Sequence, residues 1–131
     1  MTGLDTNVIV RYLVQDDPDQ SAAAGLLFDT FKADAPGFVS AISVVELVWV
    51  LQSCYGADRE QIRGVVEGLL RSRELLVERA ELIWQSLRLF TRGNADFADC
   101  LIERCGHAAG CDQMMTFDQN AAKIAGMKLL R

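Results

Sequence analysis

Five acidic residues of this chain stand at places where an acid has chemistry open to it. Asp5 sits in "LDTNVIVRYL", at the seam between the first apolar residues and a helical pattern, and Asp118 directly follows the apolar run "QMMTF". Glu46 lies inside "SVVELVWVL", a helix apolar on nearly every side, while Asp96 and Asp99 in "NADFADCLIE" are three apart and so share one helix face. A cluster of such oxygens, without histidine or cysteine, suits a hard cation, Mg²⁺ or Mn²⁺. That cation can turn a water into a nucleophile and offset the charge developing on a phosphodiester.

Each acid also has a plainer account. Asp5 can cap the first helix, and one of Asp96 and Asp99 can cap another. Glu46, if buried, must be protonated, paired with a base or bound to a cation, and no lysine or arginine lies within a helical turn of it. What favours a common purpose is that the odd placements recur.

Other constellations carry less. Cys100, Cys105 and Cys111 surround the single histidine, His107, in "CLIERCGHAAGC", but the spacing lacks the C-x2-C knuckle that presents two thiolates to zinc. Buried free thiols are the expectation for these cysteines and for Cys54. The arginines Arg59, Arg63, Arg71, Arg73, Arg79, Arg88 and Arg92 read as a solvated face rather than a nucleic-acid stripe. The net charge of −5 gives no help to a nucleic-acid partner, whose affinity depends on basic side chains.

The elements that must position the acids alternate along the chain. Met1 to Asp5 reads as a strand and Thr6 to Val14 as a helix; Asp19 then caps a helix to about Lys32, followed by a strand in "PGFVSAI". Ser43 opens an apolar helix to Tyr55, and Asp58 caps another through Arg71. "ELLVE" is a strand, Ala80 to Arg92 and Phe97 to Ala108 are helices, "QMMTF" is a strand, Gln119 to Ala125 a short helix and "KLLR" a last strand. This pattern predicts an α/β fold with a parallel central sheet covered by helices on both faces, in which ligands sit beyond the carboxyl ends of the strands. At 131 residues a single domain over 1–131 is expected. With no long apolar run and no basic segment leading an apolar one, the chain reads as cytoplasmic and not membrane-bound.

At this point a resemblance enters. "LDTNVIVRYL", "SVVELVWVL", "DFADCLIE" and "TFDQN", in that order and separation, resemble the signature of PIN-domain ribonucleases, in particular the VapC-like toxins of toxin–antitoxin pairs. The resemblance implies metal-binding acids at Asp5, Glu46, Asp99 and Asp118, with Asp96 as an additional acid and Glu103 as an added charge of uncertain use. It implies that Asn7, Ser43 and Thr116 orient the acids or a water. It further implies an endoribonuclease using Mg²⁺ or Mn²⁺ on an RNA substrate, a neutralising antitoxin that covers the site, and a homodimer.

Two rival readings differ in class. A non-catalytic PIN module binding RNA or protein should have lost some of these acids, and none is missing. A Mg²⁺-dependent receiver or phosphatase-like α/β protein needs an acidic pair or D-x-D-x-T near the first strand, which "DTNVI" lacks.

Overall fold

Strand β1 (Thr2–Gly3) leads almost directly into helix α1 (Thr6–Val14) in the computed structural model, which describes residues 1–131 apart from the side chain of Ile124. Asp5 takes the N-cap position between them, and its Oδ1 accepts from the Thr6 N–H at 2.7 Å. The helix stops at Gln15, which adopts a left-handed conformation and returns its N–H to Arg11.

The chain divides into two compact units, residues 1–78 and 79–131. In the first, helices α2 (Pro18–Phe28), α3 (Ala41–Tyr55) and α4 (Arg59–Arg71) alternate with strands β2 (Gly37–Val39) and β3 (Leu75–Val77). The sheet order is β1-β2-β3, with Thr2 opposite Gly37 and Val39 opposite Val77, and both pairings are parallel. Parallel neighbours need crossover connections, which the intervening helices supply. All three strands therefore end at one edge, where Asp5, Ser40 and Glu78 follow them. There the Ser40 hydroxyl accepts from the Ser43 N–H and Glu78 accepts from the Ala41 N–H, so two groups finish the start of α3.

Packing in this unit explains the positions of several residues. Ile9, Val39, Val44, Leu47 and Ile62 are fully buried. The Phe31 ring lies so close over Gly37 that a β-carbon there would come within 2.7 Å of it, which is why β2 opens on glycine. Tyr12 and Phe28 stack with centroids 3.9 Å apart, joining α1 to α2.

In the second unit, helices α5 (Ala80–Arg92) and α6 (Phe97–Ala108) pack on each other, with Phe90 and Phe97 fully buried and edge to face at 5.9 Å. Strand β4 (Met115–Thr116), helix α7 (Gln119–Ile124) and strand β5 (Lys128–Leu129) follow, and β4 and β5 pair in parallel. The Met114 methyl lies directly over Gly106 in α6, so a β-carbon there would displace the end of that flexible side chain.

The expected α/β class with parallel strands is what the chain adopts, and three details differ from the sequence reading. Helix α2 is capped by Asp17 rather than Asp19 and stops at Phe28, short of Lys32. Pro18, lacking an N–H, fits the first helical position, where that donor has no partner to lose. Helix α3 begins at Ala41 with Ser40 as its cap, two residues before Ser43. The strands are also only two or three residues long and form a three-stranded and a two-stranded sheet rather than one. No helix among the described residues is long and apolar enough to cross a membrane.

Candidate functional site

In the first unit, Asp5 and Glu46 line one cavity of about 300 Å³, with Thr6, Asn7, Arg11 and Cys54 also on its wall. Asp5 reaches it because β1 ends there, and Glu46 because it shares a stripe of α3 with Val50 and Cys54, four residues apart each time. Glu46 is exposed, contrary to the expectation of a buried carboxylate. It meets no base among the described residues, so the alternative of a buried arginine partner falls with the burial.

The Asp5 carboxylate does cap its helix, but through Oδ1 alone; Oδ2 has no hydrogen bond among the described residues. Beside it, the Thr6 hydroxyl is buried with no hydrogen-bond partner. A polar atom left so inside a protein is costly, and Thr6 is also one of the residues around the acidic cavity.

The second unit brings together Asp96, Asp99 and Asp118 electrostatically. Asp96 occupies the N-cap position of α6 yet makes no capping bond. Asp99, half-buried one turn into the helix, has its carboxyl raised above the ordinary carboxylate range by burial first, then by the charges of Asp96 and Asp118. Asp118 caps α7, its Oδ1 accepting from the Asn120 and Ala121 N–H groups at 2.7 and 3.2 Å. Thr116 supports it: the Thr116 hydroxyl accepts from the Asp118 N–H at 3.0 Å.

The other polar positions fare differently. Asn7 is exposed on the cavity wall, without a hydrogen bond among the described residues. Ser43 is buried and engages Ser40, so it finishes the start of α3 and makes no hydrogen bond to an acid among the described residues. Glu103 is held by Arg104 through two hydrogen bonds, at 2.6 and 3.0 Å, and adds nothing to the charges that raise Asp99.

A contrast runs across the chain's acids. Asp16, Glu60, Glu67 and Glu103 form ion pairs with arginine; among the described residues Asp5, Glu46, Asp96, Asp99 and Asp118 form none, and neither do surface acids such as Asp17, Asp19 and Asp34. Within neither unit do three histidine, cysteine or carboxylate side chains among the described residues come close enough to chelate an ion together. The donors nevertheless fit a hard cation that keeps several waters: every one is a carboxylate, most are exposed, and Asp5 and Asp118 each keep an oxygen free of its capping duty.

The sequence reading missed the unpartnered Thr6 hydroxyl and the Arg11 guanidinium. For Arg11 a signal existed, since it lies one helical turn after Asn7 on the same face of α1. For Thr6 there was none, because burial of a hydroxyl without a partner is not visible in a sequence. Of the cysteines, Cys100 is buried as expected, while Cys54 and Cys111 are exposed.

Comparison with known proteins identifies the family. The family profile described as PIN domain matches residues 4–127. The chain is 25% identical over 121 residues to a VapC ribonuclease from Aquifex aeolicus (strain VF5), covering 92% of this chain and 90% of the relative. No solved structure matches it.

Proposed function

The chain belongs to the PIN domain family, and on that premise we propose that it is a metal-dependent endoribonuclease, the toxin of a toxin–antitoxin pair, acting as one PIN-like domain over residues 1–131. The observation that carries the reading is that acids are gathered within each unit with no base to neutralise them among the described residues: Asp5 and Glu46 line one cavity, and Asp96 and Asp118 both act on Asp99. Similarity to a VapC ribonuclease along nearly the whole chain supports the RNA substrate and the toxin role.

In this reading Asp5, Glu46, Asp99 and Asp118 are the acids that would hold Mg²⁺ or Mn²⁺, with Asp96 as an additional acid near Asp99. Such a cation, when bound, lowers the pKa of water and offsets the charge that builds on the phosphodiester in the transition state. Asp5 and Asp118 are each held by a helix N-terminus through one oxygen, which fixes the direction of the other. Thr116 fixes the backbone that carries Asp118. Asn7 offers an amide at the cavity wall for orienting a water.

A cognate antitoxin that blocks these acids, a homodimer and a cytoplasmic location complete the proposal. Support for the dimer comes from α3, whose Ile42 and Trp49 side chains are 78% and 62% exposed on a helix that is apolar almost all round. The neighbouring reading frame tests the toxin role: a short frame with a DNA-binding pattern is expected beside this one.

The decisive experiment is cleavage of RNA by the purified protein. Activity is expected to vanish in chelator and to return with Mg²⁺ or Mn²⁺, with no need for Zn²⁺. The cut ends should be a 5′-phosphate and a 3′-hydroxyl, because water rather than the RNA's own 2′-hydroxyl is the nucleophile. His107→Ala should keep most activity, since His107 lies exposed in the last turn of α6. Fragments ending in a 2′,3′-cyclic phosphate, absent from an Asp5→Asn control, would overturn the mechanism.

A further inference from the structure

Arg11 is the one basic residue on the wall of the Asp5–Glu46 cavity, and it is held in place from three sides. Its Nε donates to Gln20 Oε1 at 2.6 Å, and its Nη1 donates to Asp16 Oδ1 at 2.9 Å and to the Tyr55 hydroxyl at 3.4 Å. The Tyr55 hydroxyl donates in turn to Asp16 Oδ2 at 2.7 Å, so Asp16 braces both. Nη2 is left without a protein partner among the described residues. An arginine braced in this way has less rotamer freedom left to lose when a ligand arrives, which lowers a cost of binding.

Arg11 and Asn7 also line a second cavity, a cleft of about 480 Å³ between α1 and α2. Its other walls are Val8, Ala23 and Leu27, with Gln20 at the polar side. Gln20 spends its carbonyl oxygen on Arg11, which leaves its amide N–H groups as donors. The cleft thus combines apolar walls with a few fixed polar groups, the usual make-up of a small-molecule site, and adjoins the acidic cavity through two shared residues.

We propose that the α1–α2 cleft is a nucleotide subsite for single-stranded RNA, seating one base against Ala23 and Leu27 while Arg11 binds the adjoining phosphate at the border of the acidic cavity. The proposal rests on the ribonuclease reading for its substrate class. Arg11 is a positioning residue: Asp16 partly offsets its charge, so its contribution is the placing of one phosphate rather than bulk attraction. Single-stranded RNA fits because its bases are free to leave the stack and enter an apolar cleft, which duplex bases are not.

The test measures binding of a short fluorescent oligoribonucleotide of random sequence to the full chain carrying Asp99→Asn, without metal. Arg11→Gln should weaken binding about tenfold and lower the salt slope by about one, as loss of a single phosphate contact does. Ala23→Phe, which fills the cleft from an exposed position and leaves Arg11 untouched, should weaken binding of the oligoribonucleotide but not of an abasic strand of equal length. Arg73→Gln, on an exposed residue away from both cavities, should bind as the parent does. Binding unchanged by Arg11→Gln and Ala23→Phe, equal loss on the abasic strand, or no binding of RNA by the parent would each overturn the subsite. If the expected pattern holds and the wild-type chain with Mn²⁺ leaves RNA intact, the subsite stands and the ribonuclease reading fails.

Discussion

Helices α3 and α4 are consecutive in the chain and pack on one another, yet they treat their glutamates in opposite ways. On α4, Arg63 binds Glu60 and Glu67, and Arg71 binds Glu67 again, an unbroken ladder at three- and four-residue steps. On α3, Glu46 stands exposed with no cation, among residues that are nearly all apolar. The α4 ladder is what a sequence does to make a helix soluble and slightly more stable. Glu46 joins no such ladder, and an exposed acid on a cavity wall with no cation beside it among the described residues is a candidate for binding something the chain does not contain.

The contrast breaks most visibly in activity. Asp99→Asn and Glu46→Gln should each lower RNA cleavage by about a thousandfold or more, while Glu67→Gln should stay within about twofold of wild type in the same gel assay. Equal losses in all three would erase the distinction between the helices. Next in size is ligand-linked stability. Mn²⁺ at about a hundred times its dissociation constant should stabilise wild type by about 2.7 kcal/mol in a thermal melt, and should do little for Asp99→Asn.

A smaller effect separates the two duties of Asp5. Asparagine caps helices about as well as aspartate, so Asp5→Asn should leave the melting temperature almost unchanged, whereas Asp5→Ala should cost about 1 kcal/mol. Both should be inactive. Denaturant titrations of the two variants, read beside their activities, distinguish the cap from the ligand.

The smallest effects have opposite signs with pH. Glu60 and Glu67 are held below the ordinary carboxylate range, Glu60 chiefly by the Arg63 hydrogen bond and Glu67 chiefly by that of Arg71. Their folded-state pKa is depressed, so the stability they contribute is present above the unfolded pKa and lost as pH falls through the folded one. Asp99 is raised, so the metal-free fold is favoured at low pH and loses stability as pH climbs through its folded pKa. Near neutral pH without metal, Glu67→Gln should therefore lower the melting temperature slightly and Asp99→Asn raise it slightly, and both differences should fade in acid.

Much of this was legible in the sequence. Caps and breaks located α1, α4, α5 and α6 because Asp5, Asp58 and the Gly93–Asn94 interruption leave little choice of boundary. The start of α3 was ambiguous because Ser40 and Ser43 are both good caps, and only the extended backbone at Ser40 decides between them. Glu46 was misjudged for a different reason: an apolar helix reads as buried on every side, whereas Ile42, Glu46 and Trp49 lie along one stripe that this fold leaves exposed. Asp5, Asp96, Asp99 and Asp118 could be named from their positions after strands and at helix starts, and Glu46 from its apolar neighbours. The brace on Arg11 could not, since Tyr55 lies 44 residues away in sequence and no local pattern links the two.

Cys54 ends the stripe that begins at Glu46, a free, exposed cysteine on the cavity wall. The protein thus carries a ready-made attachment point. In a Cys111→Ser background, a maleimide fluorophore on Cys54 would brighten or dim as metal or RNA enters, turning an otherwise silent event into an optical signal. A bulkier adduct at the same sulfur would instead act as a plug. One side chain thereby offers both a gauge and a stopper for the cavity it borders.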